Sequence, residues 1–403
     1  MGKELKLTVV IYLFAAAFAL GTFSLNIVNR SIPMTSPVGA NFSILPEPAS
    51  GEKPKYRVYG FLPYWMLQNT EYLQLDKLTD IAYFALGINA DGTFKTTDPE
   101  GFADPGYDRW KKSEALKELI RDSKAAGVNF ALTIISHEDE TTYKFLDCQS
   151  CWDNLLRHIE HELKEGKIRD VNVDFELSEP NVKDGYDLKY TEFVSFLNTK
   201  LDVVTVSVLA DSLIKPRITN IESLARAADY LFVMAYDFHR PDSDNAGPVA
   251  PIGGAGSLSE YDISTMLSDF LKIAPAEKLI LGVPYYGYNW LVTSGSEYSE
   301  RIPGTDELGY SISQSYADIA ETRLKYDPEI LWDSVGLVPY FTYFNPEFGA
   351  TRQVYFENIE SLAIKYDLAK AKGLAGIGIW ALGYDGGYQE LWGLLGETFR
   401  ASQ

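Results

Sequence analysis

Eight short apolar runs, separated by stretches of helical period, leave this chain few folds to adopt. The runs occupy 56–65, 80–88, 128–135, 171–176, 203–209, 230–237, 278–286 and 374–382. Between the second and third, SEALKELIRDSKAAG sets Leu116, Leu119 and Ile120 on one side of a helix. Between the third and fourth, DNLLRHIEHELKEG does the same with Leu155, Leu156, Ile159 and Leu163. Each pattern closes on glycine, as helices often do. Strands that alternate with helices pair in parallel through crossovers. Eight of them in 403 residues predict an α/β fold, a closed (β/α)8 TIM barrel. An open doubly wound sheet is the alternative, but no G-x-G-x-x-G follows the first run. The spacing breaks once, over 287–373. There EILWDSVGLVPYFTYF and TRQVYFE read as antiparallel strands. They predict a small α+β insertion at about 290–365, between strands seven and eight, on the C-terminal face where barrel enzymes work.

Ahead of the barrel, residues 7–29 carry no charge, and Lys3 and Lys6 precede them. A cleaved signal usually has an apolar region of only ~7–15 residues, whereas ~20 residues span a bilayer. Residues 1–30 therefore read as a signal anchor or a signal peptide. The flanking lysines favour an N-terminus kept in the cytoplasm and a barrel outside it. The protein is expected to be exported, and anchored to the membrane through this helix or otherwise secreted. Residues 31–55, rich in Pro, Ser and Gly, read as a flexible linker, and 56–403 as the barrel domain. A net charge of −20, from 36 basic and 56 acidic residues, argues against a nucleic-acid partner. Cys148 and Cys151 form a C-x-x-C with His158 and His161 nearby. That spacing leaves a local disulfide, free thiols and a metal site open.

The fourth run, RDVNVDFE at 169–176, is the unusual one. A strand puts alternate residues on one face. One face here carries Val171, Val173 and Phe175; the other carries Asn172, Asp174 and Glu176. Acids are costly to bury without partners. The polar face belongs either to a solvated edge or to a working cavity. In a barrel, Asp174 and Glu176 would stand together at the mouth, and two adjacent carboxylates do not both ionise freely. One then holds a proton near neutral pH and serves as a general acid. Strand six ends in MAYDFH with Met234, Tyr236 and Asp237; strand eight brings Trp380; strand one brings Tyr64 and Trp65. Acids, a phenol and a broad indole suit a sugar ring, stacked below and protonated at its bond.

These motifs resemble glycoside hydrolase family 18, the chitinase-like family, over roughly 56–400. Its strand-four pattern D-G-x-D-x-D-x-E is similar to residues 169–176, its M-x-Y-D to 234–237, and its strand-eight tryptophan to Trp380. KLILGVPYYGYNW (278–290) resembles its seventh strand. Residues 352–383 resemble a bacterial branch close to cortex-lytic and other cell-wall N-acetylglucosaminidases. The resemblance implies a glycosidase acting on β-linked N-acetylglucosamine glycans, chitin-type oligomers or peptidoglycan. It implies substrate-assisted retaining catalysis with Glu176 as general acid/base. Asp174 would orient the substrate acetamido group, with Tyr236 and Asp237 holding it and the water, and Trp380 as the floor. Asn172, Met234, Tyr64, Tyr286 and Asn289 are the further substrate-binding candidates. Nothing in the sequence demands a metal or an organic cofactor. The pattern departs at Arg169, Asp170 and Asn172. An amide at 172 is expected to donate to Asp174 and favour its ionised form. The rival reading is a non-catalytic carbohydrate-binding lectin of the same family.

Overall fold

The computed structural model describes residues 35–39, 54–166, 168, 170–177 and 182–399. The strands in chain order are β1 (Arg57–Pro63), β2 (Asp80–Gly87), β3 (Asn129–Ser136), β4 (Asp170–Phe175), β5 (Val203–Leu209), β6 (Tyr230–Met234) and β7 (Leu279–Pro284). They continue with β8 (Tyr286–Leu291), β9 (Ile312–Ser315), β10 (Leu331–Asp333), β11 (Val338–Asn345), β12 (Ala350–Tyr355) and β13 (Gly376–Trp380). Strands β1 to β7 and β13 close into a parallel barrel in the order β1-β13-β7-β6-β5-β4-β3-β2. All eight expected strands are present. The helices read from the sequence are there too. Ser113 caps Glu114–Ala126 by accepting from the Leu116 amide, and Gly127 ends it at φ 65°. The helix Gln149–Gly166 buries Leu155, Leu156, Ile159 and Leu163.

The insertion is a five-stranded antiparallel sheet, β10-β11-β12-β8-β9, carrying the helix Tyr316–Tyr326. It starts at Tyr286, earlier than the sequence reading placed it, because the expected seventh strand is two strands. At Tyr285 the chain leaves the barrel: its amide donates to the Trp380 carbonyl, and its carbonyl accepts from the Tyr316 amide. From Tyr288 onward the pairing passes to β12.

Inside the barrel, Phe232 lies fully buried against Phe61, with ring centres 4.8 Å apart, and against Tyr59. It fits only because its neighbours on β13 and β7 are glycines. A Cβ on Gly378 would sit 2.0 Å from the Phe232 ring, and one on Gly282 2.8 Å from it. This plug supports the layer above, which includes Met234 and Trp380.

The apolar run 7–29 lies outside the described residues. Among the described residues no helix is long and apolar enough to cross a membrane. Part of the expected linker does not hang free. Val38 is buried, the Ser36 amide donates to Glu390, and the Ser36 hydroxyl bonds Tyr316. Cys148 and Cys151 are joined as a disulfide, with Cα atoms 5.2 Å apart. His158 packs on Phe94 instead of joining them, and His161 faces Glu165.

Gly378→Ala is expected to destabilise the fold by about 1–3 kcal/mol through overpacking, read as a lower urea midpoint at unchanged m-value. Phe232→Leu in the same chain should recover part of that loss. Additive losses in the double variant would disprove the shared contact.

Candidate active site

The fourth strand obeys its alternation. Val171, Val173 and Phe175 are buried toward the helix layer, where Phe175 stacks on Tyr190 and Phe193 of the helix Tyr186–Asn198. Asn172 and Asp174 consequently point into the barrel. Both are buried, Asp174 at 3% exposure. Glu176 follows the end of the strand and keeps 38% of its side chain open to water.

Burial, then the neighbouring Glu176, pushes the Asp174 carboxyl well above its usual range. Among the described residues its Oδ1 has no hydrogen-bond partner, and neither has the Asn172 amide nitrogen. The expected Asn172–Asp174 bond is therefore absent. Asn172 instead accepts from the Ser207 hydroxyl at 3.2 Å. Ionised Asp174 is disfavoured here, contrary to the expectation from the amide, because desolvation outweighs any donor. Glu176 is also raised, by loss of water first and then by Asp237; Arg217 opposes this.

Tyr236 lies close to all three acids. Its phenol is held protonated by burial and then by Asp174, Asp237 and Glu176. The β6 ladder stops at Met234, and Asp237 turns to φ 63°, a conformation Asp tolerates better than most residues. The Asp237 Oδ1 accepts from the hydroxyls of Tyr286 and, at 2.6 Å, of Tyr288. These bonds pull its pKa down against a larger upward push from burial. Trp380, the expected floor, lies 4.8 Å from Phe84 and 5.6 Å from Phe61 between ring centres. Met234 lines a small cavity beside Glu176 together with Ser207, Leu209 and Arg217.

Two candidates fall elsewhere. Asn289 is buried on the opposite face of β8, bonded to Gln314, Tyr343 and Arg352. Alternation explains it: Tyr286, Tyr288 and Trp290 share the face toward Tyr236 and Trp380, so the residue between them cannot. Tyr64 packs on the outer core. After Pro63 the backbone becomes a 3-10 turn, and its neighbour Trp65, 41% exposed, takes the place nearer Phe84.

Four contributors escaped the sequence reading. Tyr288 was legible by alternation once β8 is seen as separate. His137, just after β3, approaches Glu176 at 3.8 Å. Burial lowers its pKa, so a neutral imidazole, not an ion pair, faces the acid. Arg217 and Asp211 form a bidentate pair, at 3.0 and 2.6 Å, whose field reaches Glu176. They come from a loop without any pattern. Among the described residues, His137, Asp174 and Glu176 offer three ligand atoms within 4.8 Å of one another, as do the outlying His161, Glu162 and Glu165. The first trio coincides with the acid pair itself.

The family model for glycosyl hydrolases family 18 matches residues 57–385. A cortical fragment-lytic enzyme of Bacillus anthracis is 26% identical over 80% of this chain and 68% of its own. A di-N-acetylchitobiase of Mus musculus is 29% identical over 45% of this chain and 52% of its own. The chain spans between about half and two thirds of the length of such curated relatives. Among solved structures, the spore cortex-lytic enzyme SleL of Bacillus megaterium superposes with a TM-score of 0.67. It has 20% identity and covers 88% of this chain and 77% of its own. An Ostrinia furnacalis Group IV chitinase bound to allosamidin gives 0.69, with 21% identity and coverage of 85% and 98%.

Because the folded Asp174 pKa lies above the ordinary value of about 3.9, the wild type loses stability as pH rises through the folded pKa. An amide escapes that loss. The Tm of Asp174→Asn minus that of the wild type should therefore grow from pH 4 to pH 8. A difference that is constant with pH would contradict the buried, raised carboxyl.

Proposed function

Since the chain belongs to family 18 of the glycosyl hydrolases, we propose that it cleaves β-linked N-acetylglucosamine-containing glycans by substrate-assisted, retaining catalysis. Glu176 protonates the glycosidic oxygen. The acetamido carbonyl oxygen of the sugar on the floor attacks its own anomeric carbon, and the bond to the leaving sugar breaks. This leaves an oxazolinium ion. The adjacent acids share one proton, which stands on Glu176 in this step; Asp174, then ionised, accepts the acetamido N–H and offsets the developing positive charge. A water then adds to the anomeric carbon, Glu176 takes its proton, and the acetamido group is restored with retained configuration. The nucleophile arrives attached to the substrate, so the protein supplies a proton, a matching field and a fixed ring. Trp380 lies under the ring. Tyr236 and Asp237 hold the acetamido group and the water, and Tyr286 and Tyr288 fix Asp237.

The observation that carries this reading is the pairing of a buried Asp174 that lacks a partner for Oδ1 with a half-open Glu176 of raised pKa. The first needs a donor that a substrate N–H provides. The second keeps a proton toward neutral pH yet can reach a ligand. Names of the relatives favour bacterial cortex or wall glycan and short chitin fragments as substrates. Retention of Glu176 weighs against a binding-only lectin.

Glu176→Gln should lower turnover of N-acetylchitooligosaccharides and of purified peptidoglycan by about 10²–10⁴-fold while preserving binding, with products read by mass spectrometry. Wild-type activity should fall as pH rises past the raised Glu176 pKa. Unchanged turnover in the variant would defeat the assignment; binding without turnover in the wild type would select the lectin.

We also propose, from residues 7–29 and the lysines before them, that the protein is exported and tethered outside the cytoplasm. The full chain should sediment with membranes and resist alkaline carbonate, and residues 31–403 should not. Equal partition of both would overturn the tether.

A further inference from the structure

The insertion sheet has a second face, turned away from the mouth, and an open cleft of about 740 Å³ lies against it. That size is within the roughly 300–1,000 Å³ usual for small-ligand sites. The residues between the mouth-facing ones on β8 and β12, Asn289 and Arg352, belong to its floor, and the helix Tyr316–Tyr326 forms a wall.

The floor is polar and held in place. Arg352, 4% exposed, donates from Nε to Asn289 Oδ1 at 2.9 Å. Its Nη2 donates to the carbonyls of Asn289 and Tyr310 at 3.0 and 2.7 Å. Among the described residues no carboxylate pairs with it, and burial pushes its pKa down. Asn289 in turn donates to Gln314 at 3.0 Å and Tyr343 at 2.9 Å. The walls are aromatic. Tyr326 stacks on Tyr343 with ring centres 4.3 Å apart and carries the Lys325 ammonium 4.9 Å from its own ring centre, whereas Tyr310 stands 54% exposed at the rim. Four acids and two bases line the cleft, in a chain of net charge −20. That balance repels an anionic ligand. A fixed polar floor, an exposed aromatic rim at Tyr310 and a field hostile to anions select a neutral ring with many hydroxyls, the character of an uncharged sugar.

We propose that this cleft is a second glycan-binding site, which grips a neutral N-acetylated sugar chain apart from the catalytic mouth. The identity of the glycan rests on the function proposed above. A second grip on one polymer raises the effective concentration of the rest of it at the mouth without any new catalytic contact.

The test is calorimetric titration of the full chain carrying Glu176→Gln with N-acetylchitotetraose. Two equivalents are expected. Adding Trp380→Ala should remove the mouth equivalent, and adding Tyr326→Ala the cleft equivalent. Tyr310→Ala, on the exposed rim, repeats the cleft test at a position whose loss does not threaten folding; it should weaken the cleft equivalent by about tenfold, ~1.4 kcal/mol. One equivalent that only Trp380→Ala abolishes overturns the cleft and leaves the catalytic reading standing. One equivalent that only the Tyr326 and Tyr310 changes affect supports the cleft and overturns the mouth. Two equivalents indifferent to both tyrosines overturn the cleft as well.

Discussion

A strand residue points either inward or outward, and in a closed ring that choice decides everything at β4. Three apolar side chains fix the register from outside. Phe175 alone, stacked between Tyr190 and Phe193, contributes about 1.5–3 kcal/mol of burial. A slip of one residue would move it into the barrel and turn Asp174 toward the helix layer. The acids are thus placed by the hydrophobic effect acting on their neighbours, not by any attraction of their own. The same logic runs around the ring. Trp380 and Gly378 share a face on β13, and the glycine admits the Phe232 plug on which that layer sits.

Having been placed there, the acids carry an electrostatic cost that the surroundings only partly relieve. Asp174 receives no bond at Oδ1, Glu176 feels Asp237 as a like charge, and the guanidinium of Arg217 is already engaged by Asp211. Only Asp237 is well served, by two tyrosine hydroxyls. The outcome is graded: one carboxyl with bonds, one partly in water, and one buried with its Oδ1 unpartnered among the described residues. Groups so unequally treated are spread in proton affinity, and adjacent Asp174 and Glu176 titrate as a unit, so the proton they share can pass to Glu176 once a ligand gives Asp174 a donor. Stability alone gives no reason to bury Asp174, since an uncompensated acid there weakens the fold near neutral pH.

Much of this is legible in the sequence. The eight strands, the insertion and the acid pair follow from period-two and period-3.6 patterning, which burial enforces residue by residue. Asn289 stands at the mouth only in the resemblance; period two already sets it opposite Tyr286 and Tyr288, and the pairing of β8 with β12 turns its face toward Arg352. What failed otherwise did so where patterning stops. Tyr64 and Trp65 follow Pro63 into a 3-10 turn, where alternation no longer applies. His137, Asp211 and Arg217 arrive from loops, whose position is set by tertiary packing alone. Ser36 and Val38, in a segment with the composition of a tether, dock on Tyr316 and Glu390 through contacts too short to leave a periodic signal.

The insertion extends the parity rule beyond the barrel. In β8, Tyr286 and Tyr288 serve Asp237, while Asn289 joins Arg352 behind them. One strand therefore supplies both the mouth and the cleft, and the two are separated by the thickness of a single sheet. β9, next to β8, is one of the two edges of that sheet, and its residues Ile312, Ser313 and Gln314 line the cleft. A chain reaching from one face to the other has to pass around an edge, because the hydrogen-bonded ladder between admits nothing. An edge strand that is short, and followed at once by the capped helix starting at Tyr316, is also protected from pairing with a foreign strand. The geometry that keeps this edge from aggregating is the same geometry that leaves room beside it for a ligand.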